Sequence, residues 1–243
     1  MDRKREALQA LYEDYEDCDR CPLSRQTCGR TNVVFGSGNP DADVMVISDY
    51  PREEDDRSAV PFAPESHAGV MIDRILGETF STSRDDVWID HTVMCLPRKD
   101  DRSDRPPKRA EIVACLERLH AAINIVDPKV ILLLGATPLR MAKKWADPWD
   151  KELAAFREGI TSIARSALKP RLSVEVQGLM GPVRYEARAT FHPKYLLRLT
   201  QAENSRPGGD NYHSFKTWET VFGLADMTNY LYRGEAPYRA FKE

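Results

Sequence analysis

The stretch that most constrains this chain is Val44-Met45-Val46-Ile47, a short apolar run rich in β-branched residues. Gly36, Gly38 and Asn39-Pro40 precede it and Pro51 follows it. A run of this length between turn signals predicts a strand buried on both faces, as in a parallel sheet. The loop after it carries Asp49, Glu53, Glu54, Asp55 and Asp56. In open α/β sheets ligands bind beyond the carboxyl ends of the strands, so this loop is the first place to look for chemistry. The alternative reading is a solvated acidic loop.

The remaining elements can be placed around that strand. Leu8, Leu11, Tyr12 and Tyr15 predict a helix over 2–16, and Val70, Ile72, Ile75 and Leu76 one over 67–77. Val87-Trp88-Ile89 starts a second strand, and Val130–Leu134, ending at Gly135, is a third. A helix is expected from about Pro107 to Val126, entered at Pro106-Pro107 and closed by Pro128, and another over about 137–145. Residues 172–177 and 183–189 alternate apolar with polar around Gly178 and Gly181-Pro182 and read as a hairpin. Residues 199–213 read as a polar loop and 214–232 as a terminal helix. The order predicts a three-layer α/β fold, a single domain over 1–243 with an insertion at about 146–189.

Charge and cysteine content narrow the partners. The net charge is −3, so a nucleic-acid partner needs a local basic patch rather than a basic protein. No apolar run reaches membrane-spanning length, and Met1–Arg5 lead into a charged helix rather than an apolar signal core. The expectation is a cytoplasmic chain without a membrane partner. There, five cysteines argue for a metal site or free thiols before disulfides. Cys18 and Cys21 form a C-x-x-C hook. Cys95 and Cys115 follow with nineteen residues between them. Four thiolates suit zinc or an iron–sulfur cluster, and spacing does not choose between them. Cys115 also reads as an ordinary buried helix cysteine, and Cys28 as a spare thiol.

Four blocks in order carry a resemblance: C-D-R-C-P-L with G-R-T-N-V-V-F-G-S-G-N-P-D-A-D-V-M-V-I; S-D-Y-P-R-E-E-D-D-R-S-A-V-P-F; W-I-D-H-T-V-M-C-L-P; and T-F-H-P-K-Y-L-L-R. Together they span residues 18–198, and the chain resembles the family 4 uracil-DNA glycosylases, the iron–sulfur branch of that superfamily. The resemblance implies a central four-stranded parallel sheet flanked by helices, with Cys18, Cys21, Cys95 and Cys115 holding a [4Fe–4S] cluster in preference to zinc. It implies excision of uracil or a related modified pyrimidine from DNA by hydrolysis of the N-glycosidic bond. Asp49 takes the place of the family's catalytic acid, with Asp55 in reserve. His192, of the H-P pair, would stabilise the anion developing on the base, and Phe62 would stack on a flipped base.

The pocket departs from the family. His91 stands where the family has a base-reading asparagine, and Ser48, Tyr50 and Arg52 replace glycine, alanine and glycine. This keeps open a second reading, a catalytically silent module of the same fold that binds DNA or a protein. One branch of the superfamily traps its product on a histidine in the segment matching 96–109, which here has none. DNA contact is expected at two places. One is the basic loop 97–109, through Arg98 and Arg105. The other is Lys194, Leu197 and Arg198, where bases can hold phosphates while leucine wedges into the stack.

Overall fold

The computed structural model describes residues 2–26, 31–80, 82–142, 172–178, 180–190 and 192–204. The expected terminal helix at 214–232, most of the expected insertion and Cys28 lie outside them.

Helix α1 (Asp2–Tyr15) leads to strands β1 (Ser37–Gly38) and β2 (Val44–Ser48), then to helices α2 (Glu53–Ser58) and α3 (His67–Phe80). Strand β3 (Trp88–His91), helix α4 (Arg109–Val126), strand β4 (Val130–Leu134) and helix α5 (Ala136–Ala142) follow. A hairpin of β5 (Leu172–Gly178) and β6 (Gly181–Thr190) and helix α6 (Pro193–Asn204) complete the described fold.

One six-stranded sheet runs in the order β1-β3-β2-β4-β6-β5. Its four inner strands are parallel, as expected, with Ser48 opposite His91 and Leu133 opposite Ala189. The sheet is wider than the sequence suggests, because β1 and β5 add antiparallel edges. Of the expected insertion, the part from Leu172 on is built into the sheet: β6 pairs with β4 along five residues.

Alternation along the strands divides the core. Met45, Ile47, Ile131 and Leu133 face Leu8 of α1 and Leu119 and Ile123 of α4. Val44, Val46, Val130, Leu132 and Leu134 face Ile72, Ile75 and Leu76 of α3. Both faces are therefore covered, which is why β2 and β4 read as unbroken apolar runs. Each fully buried aliphatic side chain contributes ~1.5–3 kcal/mol, so the two layers fix the strand register.

Caps set the helix ends near the site. Helix α4 begins where the Lys108 N–H donates to Glu111 at 2.6 Å, and ends at Asp127 in the left-handed region (φ 49°). Helix α6 begins at Pro193, a residue preorganised for a first turn. It runs to Asn204, so the first six residues of the expected polar loop at 199–213 are helical.

Candidate active site

Asp49, His91, Gly135 and His192 all follow or end parallel strands, so the topology brings them to one edge of the sheet. The β2 and β3 ends are pinned together: Thr92 donates to the Ser48 carbonyl through its N–H (2.8 Å) and its Oγ1 (2.7 Å), and the Val93 N–H donates to the Asp49 carbonyl (3.1 Å).

The Asp49 carboxylate has different neighbours on its two oxygens. Oδ1 lies 3.2 Å from His192 Nε2 and accepts from Ser48 Oγ at 3.2 Å. Oδ2 lies 3.7 Å from the Arg52 guanidinium. His192 caps α6, its Nδ1 accepting the Lys194 N–H at 3.0 Å. In a neutral imidazole the proton must then sit on Nε2, the nitrogen facing Asp49. Burial pushes the His192 pKa down to about 4, against the opposing pull of Asp49, and the nearby positive groups of Arg52 and Lys194 add to the fall. His192 is thus a neutral donor at physiological pH.

That shift has a consequence for stability. The unfolded chain takes up a proton on this histidine near pH 6.5, while the folded chain resists it until about pH 4. The contribution is intact above pH 6.5 and is lost as the pH falls toward 4. His192→Gln should therefore reduce the drop in unfolding free energy between pH 7 and pH 5 by about 2 kcal/mol. Urea denaturation at the two pH values measures it, and an unchanged drop would contradict a neutral buried His192.

Asp55 has a different role. Its carboxylate accepts from the Arg52 N–H (2.9 Å) and the Ala63 N–H (2.7 Å) and stands 3.6 Å from His91 Nε2. Burial raises its pKa, but His91 and the two backbone donors outweigh that and hold it below the usual carboxylate range. With both oxygens engaged, Asp55 anchors the loop and faces His91. It is not poised as a free base.

Phe62, His91 and His192 are buried and packed ring against ring. The Phe62 ring centroid is 5.7 Å from each imidazole. Phe62 adopts φ 50°, held between the 55–63 clamp and the α3 core layer. The His91 ring is buried, and among the described residues neither nitrogen has a hydrogen-bond partner. Arg52 lies with its guanidinium carbon 3.9 Å from the Tyr50 ring centroid, and its buried Nε has no hydrogen-bond partner among the described residues.

A model of the Uracil DNA glycosylase superfamily matches residues 35–213. This chain belongs to that superfamily. Type-4 uracil-DNA glycosylases are among its relatives. That of Thermotoga maritima is 36% identical over 207 residues, 85% of this chain and 91% of its own length. That of Pyrobaculum aerophilum is 34% identical over 191 residues, 79% of this chain and 85% of its own length.

The superfamily member brings its four predicted ligand cysteines into one apolar layer. Cys95 and Cys115 are buried and Cys18 and Cys21 half-buried, none in a disulfide, beside Tyr15, Leu23, Phe35, Met94 and Ile112. Burial pushes the Cys95 thiol up to about 12, and Cys115, Cys21 and Cys18 each push it further. Burial likewise raises Cys115 and Cys21. Among the described residues no group of three or more His, Cys, Asp or Glu is arranged to hold a metal ion as it stands. The donor set is nonetheless the soft one that suits iron–sulfur or zinc, whose positive charge is what buried thiols need to ionise.

The predicted DNA contacts separate into two kinds. Lys194, Leu197 and Arg198 share one face of α6, half-buried, half-buried and exposed in turn. Burial first, then the positive neighbours Arg52 and Arg198, push Lys194 down against the pull of Asp104, whose carboxylate lies 3.8 Å from its Nζ. Arg98 is 3.9 Å from Asp56. Arg105, in contrast, is committed internally: it grips Glu111 with both terminal nitrogens (2.8 and 2.6 Å) and the Arg98 carbonyl through Nε (3.1 Å). It shapes the loop rather than offering a phosphate contact. Among the described residues no helix is long and apolar enough to cross a membrane.

Two residues escaped the sequence reading. Gly135, at φ 93°, leaves room that a Cβ would fill 3.2 Å from His192 Cβ and 3.5 Å from Asp49 Oδ1. A glycine closing an apolar strand run was the available signal. Arg118 is fully buried behind the site, with no signal beyond a charge on the apolar side of α4.

Proposed function

We propose that this chain is a DNA glycosylase that flips uracil or a related modified pyrimidine out of DNA and hydrolyses its N-glycosidic bond. The carrying observation is the Asp49–His192 pair, 3.2 Å apart at the carboxyl edge of the sheet and beside the Phe62 ring. Cleavage breaks the N1–C1′ bond, leaving positive charge on the sugar and negative charge on the base. The Asp49 carboxylate stabilises the sugar cation and orients the water that adds to C1′. His192 Nε2–H donates to the base carbonyl as it gains charge, and a neutral donor does so without taking a proton in the ground state. Phe62 offers a stacking face to the flipped base. Lys194 and Arg198 neutralise phosphates at the mouth, and Arg98 does so from the neighbouring loop.

Cys18, Cys21, Cys95 and Cys115 would hold a [4Fe–4S] cluster, which when bound supplies a covalent tie between the end of α1, the loop after β3 and α4. The gathering of the four cysteines in one apolar layer supports a metal centre, and the type-4 relatives favour a cluster over zinc. Cys115→Ala should remove the brown absorbance of the purified protein and lower its melting temperature, while Cys28→Ala should change neither. Stoichiometric zinc without iron or sulfide in an anaerobic preparation would count against the cluster.

A DNA-repair role of this kind fits a cytoplasmic protein associated with DNA. The direct test is cleavage of uracil-containing single- and double-stranded oligonucleotides, followed by alkali to break the abasic sites. The ion pair between Arg52 and Asp49 favours a second reading, in which the same fold binds DNA or a protein partner without cleaving. DNA binding without strand breaks, across uracil and modified pyrimidines, would select that reading.

A further inference from the structure

We propose that the pocket is specialised for a pyrimidine bearing an acidic substituent at C5, held by the Arg52 guanidinium. The inference rests on the glycosylase reading and names its substrate class. The two Asp49 oxygens define the geometry. Oδ1 faces His192 and Oδ2 faces Arg52, so the two side chains attend different oxygens of the carboxylate. If Asp49 attends C1′, the base nitrogen N1 lies close by, with C2 on one flank and C6 then C5 on the other. His192, the only one of the two that is a neutral donor, serves the C2 carbonyl. Arg52 is left on the C6–C5 flank.

A bare C5–H or methyl offers a guanidinium nothing. Arg52 nevertheless has a side chain only 15% exposed, a buried Nε without a hydrogen-bond partner among the described residues, a carboxylate too distant for a hydrogen bond and an aromatic face beneath it. A guanidinium so placed is short of planar acceptors, and a carboxylate matches its fork with two parallel hydrogen bonds. The adjacent His91 adds a second, independent sign. Its ring is 99% buried, and among the described residues neither nitrogen makes a hydrogen bond, Nε2 standing 3.6 Å from Asp55, so this side too has polar capacity left for a ligand. Binding an acid at Arg52 would also draw the guanidinium from Asp49 Oδ2 and leave that carboxylate free for the sugar. The substituent should therefore raise turnover as well as affinity.

The test uses single-turnover excision from oligonucleotides of one sequence carrying uracil, thymine, 5-formyluracil or 5-carboxyuracil. The formyl base is the control for electron withdrawal, which weakens the glycosidic bond without adding a charge. The native protein should excise 5-carboxyuracil at least about tenfold faster than 5-formyluracil, the scale of one charge-assisted hydrogen bond. Arg52→Gln should reduce that ratio at least tenfold, and Arg52→Lys, which keeps the charge and loses the fork, should fall between. Thermal melts confirm that each variant is folded, and the lysine variant decides the matter if the glutamine variant is not. Equal or faster excision of plain uracil by the native protein overturns the inference while leaving the glycosylase reading intact. A rate loss in Arg52→Gln that is uniform across the four bases assigns Arg52 to a backbone phosphate and also overturns it. Excision of none of the bases overturns both.

Discussion

Replacing His192 by alanine is expected to lower the single-turnover excision rate by about 10²–10³-fold, the usual loss on removing one donor aimed at a developing oxyanion. The ring is fixed from both ends: Nδ1 is occupied by the Lys194 N–H, and Nε2 lies 3.2 Å from Asp49. Its tautomer and ring position are therefore set before any base arrives, and the Nε2–H has only to turn from Asp49 to the base carbonyl as charge develops. Asp49→Asn keeps the shape and removes the charge, and should cost at least about 10²-fold. Because the two groups act on one transition state, the double variant should lose little more than the worse single one. DNA affinity should largely persist in all three, since phosphate contacts dominate it. Rates within a few-fold of native in both single variants would move the chemistry away from this pair.

The layers of the fold were legible for a simple reason. The runs Val44–Ile47 and Val130–Leu134 are apolar throughout because helices cover both faces of β2 and β4, and proline and glycine punctuate them. Pairing was less legible. The 172–189 hairpin carries its local antiparallel pattern in its own residues, whereas the parallel pairing of β6 with β4 depends on a strand far away in sequence. Helix α2 was hidden in what read as an acidic loop. Its four acids, Glu53 to Asp56, fill the first turn, where negative charge is favoured.

The site shows the same division. Asp49, His192, Phe62 and His91 were identifiable by motif, and topology does bring them together. What a motif does not convey is how each side chain is already engaged. Asp55 looked like a second acid, but two backbone N–H groups occupy it. Arg105 looked like a phosphate contact, but Glu111 occupies it. Both engagements form only once the loops have folded.

Arg118→Met should destabilise the fold by about 3–5 kcal/mol, the cost of leaving one member of a buried ion pair alone. Arg118 and Asp90 are both fully buried, with Arg118 NH1 2.6 Å from each Asp90 oxygen. NH2 donates to the His91 carbonyl at 2.7 Å, and Asp90 Oδ1 accepts the His91 N–H at 2.7 Å. Without the arginine, the Asp90 charge has no counter-ion and cannot reach water. Gly36 adds to the confinement, because a Cβ there would come within 2.8 Å of Asp90 Oδ2. Replacing both charges, as Asp90→Leu with Arg118→Met, should recover a large part of the loss, since an apolar pair avoids the desolvation that the ion pair must offset. The recovery should stay incomplete because the His91 carbonyl still lacks its donor, a deficit of about 1–3 kcal/mol. Urea denaturation of the native protein, the two single variants and the double variant gives the coupling directly. A single variant as stable as the native protein would mean that water reaches Asp90. The pair also joins the two centres of the molecule, because Arg118 lies one helical turn after Cys115 on α4 and holds the end of β3 that carries His91.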